Sequence, residues 1–546
     1  MIPFTLMWQH QYTPAGGSLA LSALAAALPV AALLIVLAGF RKASWIASLA
    51  GLATAAVVAV AIYGMPVSLA ASAVTYGAAQ GLFPIGWVVF AAILLYNITV
   101  ATGKFEVVRN SVANLTSDRR LQALLIAFAF GAFIEGAAGF GTPVAVAAAM
   151  LTGLGFRPFR AATICLLANT APVAFGSIGT PLIMLATVTG LPLLQLSAGV
   201  GRICAPVSLF IPAYLILVMG GWRALRGVLP AALLCGLSFG GVQFLVSNYI
   251  GAELTDILAS LSAVGSLVIL LRFWKPGDDF RLEDDGPVPA RVEIPTGSMI
   301  SAWTPFALLV ACVLIWGYKP VQTELGHLAI KFPWPGLHRL ITRMPPVAVK
   351  ATPYDAIYTF NWLSASGTAC LVAALLSALV ARMKPAAFFS VLGRTIRQLV
   401  IAETTIATVL GLAFLMNYSG ATGTLGLTFA TTGKLFPFFG ALLGWMGVFL
   451  TGSDTSANAL FGSLQVVTAQ KLHMSPVLMA AANSSGGVMG KMISLQNIAV
   501  AAVATSLATE DESRLFRFTL RHSVFLACVI GAIAMVYAYA TPGFTQ

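Results

Sequence analysis

Long runs of apolar residues, separated by short polar or basic segments, make up most of this chain. A membrane-spanning helix needs about 20 consecutive apolar residues. The runs predict about twelve spanning helices, at residues 19–40, 45–63, 82–102, 160–192, 203–220, 228–248, 253–272, 301–318, 361–382, 398–416, 476–507 and 523–541. We therefore expect an all-α polytopic membrane protein.

Two further apolar stretches, residues 121–151 and 436–470, are interrupted near their middle. The interruptions are the glycine-rich residues 135–143 and the polar residues 451–458. Arms of about 15 residues rise only about 22 Å, which is short of a hydrocarbon core of about 30 Å. We expect two re-entrant hairpins, each of which enters and leaves the membrane on one side.

Composition supports a lipid bilayer as the surroundings of this chain. Of its 546 residues, 59% are hydrophobic and 9% are charged, and the mean hydropathy is +0.91. Soluble domains carry about 25% charged residues, so a soluble enzyme, a nucleic-acid binder and a single-span receptor are excluded. The chain has no GxxxxGK[ST] motif and no metal-binding spacing of Cys or His. We expect no cofactor, no metal and no enzymatic activity.

The net charge of +12 comes from short basic clusters between the apolar runs. Such clusters mark the cytoplasmic side of a membrane protein, and they do not indicate a nucleic-acid partner. The clusters lie at residues 41–42, 104–120, 157–160, 223–226, 272–291, 382–397 and 514–521. This orientation places both termini in the periplasm. It also makes residues 319–360 an external loop over the mouth of the bundle and residues 275–293 a solvated cytoplasmic linker.

Similar segments recur in the two halves of the chain. Residues 97–103 resemble residues 417–423, and Asn169-Thr170 with Gly176 resembles Asn483-Ser484 with Gly490. The predicted spans of the two copies run in opposite directions. We expect a first inverted repeat over residues 1–220, connector helices and a cytoplasmic linker over 221–300, and a second repeat over 301–546. Chance similarity between Ala- and Gly-rich helices is the alternative.

Inverted repeats with interrupted segments in matching positions are typical of secondary transporters, which bind substrate near the membrane midplane. Prolines, glycines and polar residues interrupt the segments 160–192 and 476–507, so we expect both helices to be broken there. The N-termini of broken helices favour anions, and a small carboxylate fits. The candidate substrate-binding residues are Asn169, Thr170, Gly176, Ser177, Asn483, Ser484, Ser485, Gly490 and Lys491. Close helix packing through small residues is the alternative explanation.

Charged residues inside predicted membrane segments are the candidates for coupling. Lys491 lies near the centre of its segment, where it can bind a substrate carboxylate or pair with Asp454 or Glu135. Glu135 and Asp454, at the two hairpin interruptions, are the first candidates to carry a proton, and Glu403 ranks below them. A permanent structural ion pair is the alternative.

Three runs resemble the bacterial L-lactate permease family, which includes glycolate carriers. They are residues 131–143 (GAFIEGAAGFGTP), 167–181 (LANTAPVAFGSIGTP) and 450–461 (LTGSDTSANALF). The resemblance implies uptake of L-lactate or another 2-hydroxymonocarboxylate, such as glycolate, with protons through the inner membrane of a bacterium. It also implies an inverted-repeat transporter fold with paired re-entrant hairpins. A proton-conducting membrane subunit of a respiratory complex is the alternative function. The sequence leaves the oligomeric state open.

Overall fold

The computed structural model describes residues 7–40, 42–139, 141–278, 280, 295–348 and 350–541. Most of them are helical. The α-helices are α1 (Leu19–Leu34), α2 (Ser44–Val57), α3 (Val67–Gln80), α4 (Trp87–Ala101), α5 (Lys104–Ala113), α6 (Arg119–Gln122), α7 (Gly131–Ala137), α8 (Thr142–Gly153), α9 (Pro158–Ala168), α10 (Gly176–Thr189), α11 (Leu193–Tyr249), α12 (Thr255–Phe273), α13 (Thr296–Gly317), α14 (Lys319–Gly326), α15 (Ser366–Val380), α16 (Pro385–Ser419), α17 (Ala421–Phe429), α18 (Phe436–Thr451), α19 (Asp454–Lys471), α20 (Pro476–Gly490), α21 (Leu495–Thr505) and α22 (Thr509–Ala540).

Short segments of other helical or extended geometry complete the structure. The π-helical turns are Ile35–Gly39, Val58–Ile62, Gly81–Gly86 and Ala123–Phe130. The 3₁₀ turns are Val173–Phe175, Ala430–Leu435 and Lys491–Ile493. The strands are β1 (Trp8–Gln9), β2 (Ile330–Pro333), β3 (Ile341–Arg343), β4 (Thr352–Pro353) and β5 (Ile357–Phe360).

The structure confirms a polytopic membrane protein. Within the described residues, ten helices are long and apolar enough to cross a membrane, or up to twelve if each of two bent pairs is one span. Several helices extend beyond the predicted spans. The predicted spans 203–220 and 228–248 lie on either side of a kink in α11, where Gly220, Gly221 and Val228 have non-helical backbone angles, and the predicted span 398–416 lies in α16. Hydropathy marks the apolar part of a helix, whereas its backbone hydrogen bonds continue past that part.

Both predicted hairpins consist of two helices joined by a short break. The first runs through the helical residues 119–137, a break and α8, and the second runs through α18, a break and α19. Gly141 and Gly452 take positive φ values of 80° and 73° at these breaks, which glycine adopts without steric cost. The expected arm length of about 15 residues is wrong for residues 119–137, whose 19 residues suffice to cross a membrane.

Both predicted broken helices are bent. The pair α9 and α10 bends by 66°, and the pair α20 and α21 bends by 42°. In the first break, Ser177 and Ile178 have φ values of 47° and 57°, a strained geometry for residues with a side chain. Each half of the chain therefore carries a hairpin followed by a bent helix pair. The inverted orientation of the two halves, and the repeat boundaries, stay predictions.

The first hairpin arm and the bent helices form the core of the bundle. The helical residues 119–137 are buried along their whole length, whereas only a third of the apolar window is buried in α1, α2 and α13. Helices α18 and α20 cross at close range because glycines lie between them. A Cβ atom on Gly444 would meet the Asn483 carbonyl oxygen at 1.9 Å, and one on Gly486 would meet the Ala441 carbonyl oxygen at 2.0 Å.

The N-terminal segment and residues 319–360 fold together as a small cap. It contains α14 and five short strands, which the sequence analysis does not predict. β1 pairs with β3 in parallel, β3 pairs with β4 antiparallel, and β2 pairs with β5 antiparallel. The cap packs on α3 and α16, since the Tyr76 hydroxyl donates to the Ile357 carbonyl (3.0 Å) and the Tyr418 hydroxyl to the Asp355 carbonyl (2.8 Å). Most of the predicted linker 275–293 lies outside the described residues.

Candidate functional site

The hairpin breaks and the helix bends meet at one cavity of about 760 Å³, here called the hairpin cavity. The two hairpins contribute Gly139 and Gly141 from the first break and Gly452 and Asp454 from the second. Helices α1, α2 and α16 form the remaining wall, and Lys42, just before α2, also lines the cavity. The sequence elements that interrupt the apolar runs therefore surround a common space.

Of the described helices, five begin at this cavity: α2, α8, α10, α19 and α21. The first turn of a helix has backbone N–H groups without helical partners, and the helix dipole favours negative charge there. Serine caps mark two of these ends. Ser453 accepts a hydrogen bond from the Ser456 amide, and Ser494 accepts one from the Asn497 amide. The arrangement favours a bound anion.

The charged centre of the cavity is an ion pair that joins the first hairpin to the bent pair of α20 and α21. The Lys491 ammonium donates to Glu135 Oε1 at 2.6 Å, and the two residues are 7% and 2% exposed. The sequence leaves three possible partners for Lys491, and in the structure its partner is Glu135. Gly176 permits this position, since a Cβ there would lie 2.6 Å from Glu135 Oε1. The second oxygen, Oε2, has no hydrogen-bond partner among the described residues.

Asp454 lies at the N-terminus of α19 and accepts hydrogen bonds from neutral donors. Ser484 Oγ donates to its carboxylate at 2.6 Å and Asn458 Nδ2 at 3.2 Å. Asn483 Nδ2 in turn donates to Asn458 Oδ1 at 2.9 Å. Two of the predicted site residues, Asn483 and Ser484, therefore belong to the hydrogen-bond network around Asp454. Their side chains lie behind the cavity and not in its lining.

The structure separates the remaining candidates into two groups. Gly176, Ser177, Glu135, Asp454 and Lys491 line the hairpin cavity. Outside its lining lie the buried residues Asn169, Thr170, Asn483, Ser484, Ser485 and Gly490. Direct substrate contact stays a prediction for that second group.

Two of those residues have contacts that bear on their roles. A Cβ on Gly490 would lie 2.3 Å from the Trp445 carbonyl oxygen, so this glycine serves close packing of α20 on α18. The Asn169 side-chain amide has no hydrogen-bond partner among the described residues and is only 5% exposed. An unpartnered buried amide has the capacity to bind a further group.

Glu403 lies away from the hairpin cavity. Its carboxylate packs against Gly86, where a Cβ would lie 2.0 Å from Oε2, while its neighbours Ala402 and Thr405 on α16 face the cavity. The position of Glu403 in the cytoplasmic third of a predicted span does not determine which face of α16 it occupies.

Sequence reasoning misses several polar residues of the lining. They are Lys42, Ser44, Ser48, Gln398, Thr405, Gln496 and Asn497. Gln496 and Asn497 lie two and three positions after Ser494, and a serine cap after a glycine-rich break is the signal that identifies a helix start there. The residues of α1, α2 and α16 carry no local signal, because only the tertiary fold brings these helices to the hairpins.

Comparisons with known proteins agree with this architecture. The sequence profile of the L-lactate permease family matches residues 22–541. The L-lactate permease of Bacillus subtilis (strain 168) is 46% identical over 97% of this chain and 98% of its own length. The L-lactate permease of Escherichia coli (strain K12) is 44% identical over 98% of both chains. The glycolate permease GlcA of the same strain is 43% identical over 98% of this chain and 99% of its own. These matches show that the chain belongs to the L-lactate permease family, a family of membrane transporters and not of enzymes.

Proposed function

We propose that this protein takes up L-lactate, glycolate and related 2-hydroxymonocarboxylates by proton symport across the bacterial plasma membrane, with both termini in the periplasm. The observation that carries the proposal is the buried Lys491–Glu135 pair in a cavity where five of the described helices begin. An ammonium group and helix N-termini together suit a small carboxylate. The names of the relatives supply the substrate class.

The substrate carboxylate is proposed to replace Glu135 as the partner of Lys491. Backbone donors at the starts of α19 and α21 complete its hydrogen bonding, and Ser177 and Asn497 in the lining are available to the 2-hydroxyl group. Asn169, Thr170, Gly176, Asn483, Ser484, Ser485 and Gly490 support this site from the lining or from behind it. The cavity volume of about 760 Å³ is larger than the volume of a two- or three-carbon acid, so we expect the hairpins to close around the substrate during transport.

Lys42 and Gln398 line the cavity; Lys42 belongs to the basic cluster 41–42, and Gln398 directly follows the basic cluster 382–397. Positive charge at the rim of a cavity raises the local concentration of anions. The positive-inside rule predicts that these two residues lie near the cytoplasmic side of the membrane.

Coupling is proposed to run through Glu135 and Asp454, with Glu403 as the next candidate. When a substrate anion binds Lys491 in place of Glu135, the buried Glu135 carboxylate is left without a counter-charge. This loss costs several kcal/mol. Proton uptake by the carboxyl groups of the site removes this cost. Conversion of Glu135 or Asp454 to the neutral amide should therefore abolish uphill accumulation, while exchange of internal for external lactate survives.

Labelled L-lactate uptake into liposomes that contain the purified protein tests the proposal. An inward proton gradient and an inward Na⁺ gradient are imposed separately. We expect accumulation and external alkalinisation with the proton gradient alone. Accumulation driven only by Na⁺ contradicts proton symport, and a lack of any lactate flux contradicts the substrate class. The respiratory-subunit alternative predicts proton movement only with redox partners, and no observation favours it.

A further inference from the structure

A third buried carboxyl, Asp256 on α12, lies next to the Lys491–Glu135 pair. It is 1% exposed, and α12 packs against α7, which carries Glu135. A Cβ on Gly136 would lie 2.8 Å from the Cβ of Asp256, so the two helices touch directly at this point. Asp256 is outside the lining of the hairpin cavity, whereas Glu135 is part of it. Asp256 therefore lies behind Glu135 as seen from the cavity.

The three buried carboxyls of this region differ in how the protein stabilises their negative charge. Glu135 has the Lys491 ammonium at 2.6 Å. Asp454 has two hydrogen-bond donors and the N-terminus of α19. Neither oxygen of Asp256 has a hydrogen-bond partner in the described part of the chain. An ionised carboxylate buried without hydrogen bonds costs several kcal/mol, so Asp256 is the carboxyl that holds a proton in this conformation.

In the described part of the chain, three titratable groups interact electrostatically with Asp256. They are Glu135 from α7, Lys491 from the turn after α20 and Cys204 from α11. When Asp256 is protonated, the cluster of Asp256, Glu135 and Lys491 is electrically neutral. When Asp256 is ionised, the cluster carries one negative charge, which repels a carboxylate from Lys491.

We propose that Asp256 binds the transported proton, and that the proton passes between Asp256 and the hairpin cavity through Glu135. This inference rests on the proposed proton symport. A hydronium ion in the cavity transfers a proton to a Glu135 oxygen and leaves water, with the electron pair of its broken O–H bond on the water oxygen. The proton then bonds to an Asp256 oxygen, and the electron pair of the broken O–H bond stays on Glu135. Protonation of Asp256 removes the charge that opposes anion binding at Lys491. Proton and anion therefore strengthen each other's binding by the same factor, which is the coupling that symport requires.

The transport test uses Asp256→Asn in proteoliposomes, with Glu253→Gln as a matched carboxyl-to-amide control three residues away. For an inward gradient of one pH unit, electroneutral symport accumulates lactate about tenfold. We expect this accumulation in the parent and the control, and its complete loss in Asp256→Asn, with lactate exchange retained. Asp256→Glu, which keeps a titratable group, should accumulate lactate. Accumulation by Asp256→Asn equal to the parent overturns the inference, while the absence of proton-driven accumulation in the parent overturns the proposed symport.

An infrared measurement tests the proton on Asp256 without transport. The C=O stretch of a protonated carboxylic acid is distinct from the bands of a carboxylate. We expect the substrate-free parent at neutral pH to show a protonated-carboxyl band that disappears in Asp256→Asn and persists in Glu253→Gln. A band that is unchanged in a folded Asp256→Asn variant overturns the assignment, whatever the transport assay gives.

Discussion

The ammonium group of Lys491 is buried, and only a nearby negative charge offsets the free-energy cost of keeping it ionised. Its partner Glu135 is 356 positions away in sequence. Sequence analysis therefore identifies Lys491 as an unusual membrane cation but leaves three possible partners, and only the meeting of the first hairpin with the second bent helix selects one. Asp256 gives no comparable signal. It lies near the end of a predicted span beside Glu253, where a carboxylate normally reaches water, and its burial depends on the contact of α12 with α7.

Lys491→Met tests whether the ion pair is a binding site as well as a structural contact. Loss of one partner of a buried pair costs about 3–5 kcal/mol, because Glu135 is left without a counter-charge. The double variant Lys491→Met/Glu135→Gln removes both charges and should recover much of the thermal stability. It should not recover substrate affinity, which we expect to fall about ten- to hundredfold with the loss of a charged hydrogen bond. Unfolding temperature and labelled-lactate binding measure the two effects, and parent-like binding by the double variant would show that Lys491 does not hold the anion.

At the scale of helices, sequence analysis predicts the breaks well and the packing poorly. Gly and Pro residues mark the hairpin breaks and the two bends because their backbone requirements are local. Helix α3 is not predicted, since its Ser, Thr, Tyr and Gly residues lower its hydropathy. It is stabilised by α16, against which Gly77 packs so closely that a Cβ would lie 2.4 Å from the Leu410 carbonyl oxygen. A short stretch of sequence does not reveal contacts of this kind, because the two helices are far apart along the chain.

Close packing of α18 on α20 predicts a specific cost for a single methyl group. In Gly490→Ala, the Cβ would lie 2.3 Å from the Trp445 oxygen and 2.8 Å from the Phe449 nitrogen, both backbone atoms. We expect a loss of about 1–3 kcal/mol of stability from overpacking. Gly393→Ala on the exposed face of α16 is the control, because nothing lies within 4 Å of its Cβ and alanine favours the helix by about 1 kcal/mol. Equal unfolding temperatures for the two variants would argue against a packing role for Gly490.

The cap should lose stability in acid through His10. Its Nε2–H donates to the Tyr418 carbonyl at 2.9 Å, and burial, aided by the nearby Arg343 charge, lowers the pKa of the imidazole from 6.5 to about 4. The unfolded cap therefore binds more protons than the folded cap between these pH values, so the free energy of unfolding falls as pH falls through this window. The loss amounts to about 3 kcal/mol at most.

Thermal unfolding of the parent and of His10→Gln between pH 7 and pH 4 measures this effect. Glutamine keeps a donor for the Tyr418 carbonyl and cannot titrate. A parent-like pH dependence in His10→Gln would assign the acid sensitivity to another group.

At the scale of the whole molecule, the order of hairpin and bent pair in each half agrees with a duplicated unit, while the opposite orientation of the halves rests on charge distribution. The long helix α16 connects the cap to the basic cluster 382–397. Its 35 residues extend about 52 Å, more than the full thickness of a bilayer. Tyr418 near its end contacts the cap, and the basic cluster 382–397 surrounds its start. We therefore expect the cap and that cluster to lie on opposite faces of the membrane.

Single cysteines at Lys331 in the cap and Lys384 before α16 test which face is which. Both positions are exposed, and the positive-inside rule places Lys384 in the cytoplasm and the cap, with the N-terminal segment that contains His10, in the periplasm. A membrane-impermeant maleimide should label Lys331→Cys in intact cells once the outer barrier is permeable, and Lys384→Cys only after the plasma membrane is opened. The parent provides the background, since five of its six cysteines are buried and Cys528 is half-buried. The reverse labelling pattern would invert the topology and place both termini in the cytoplasm.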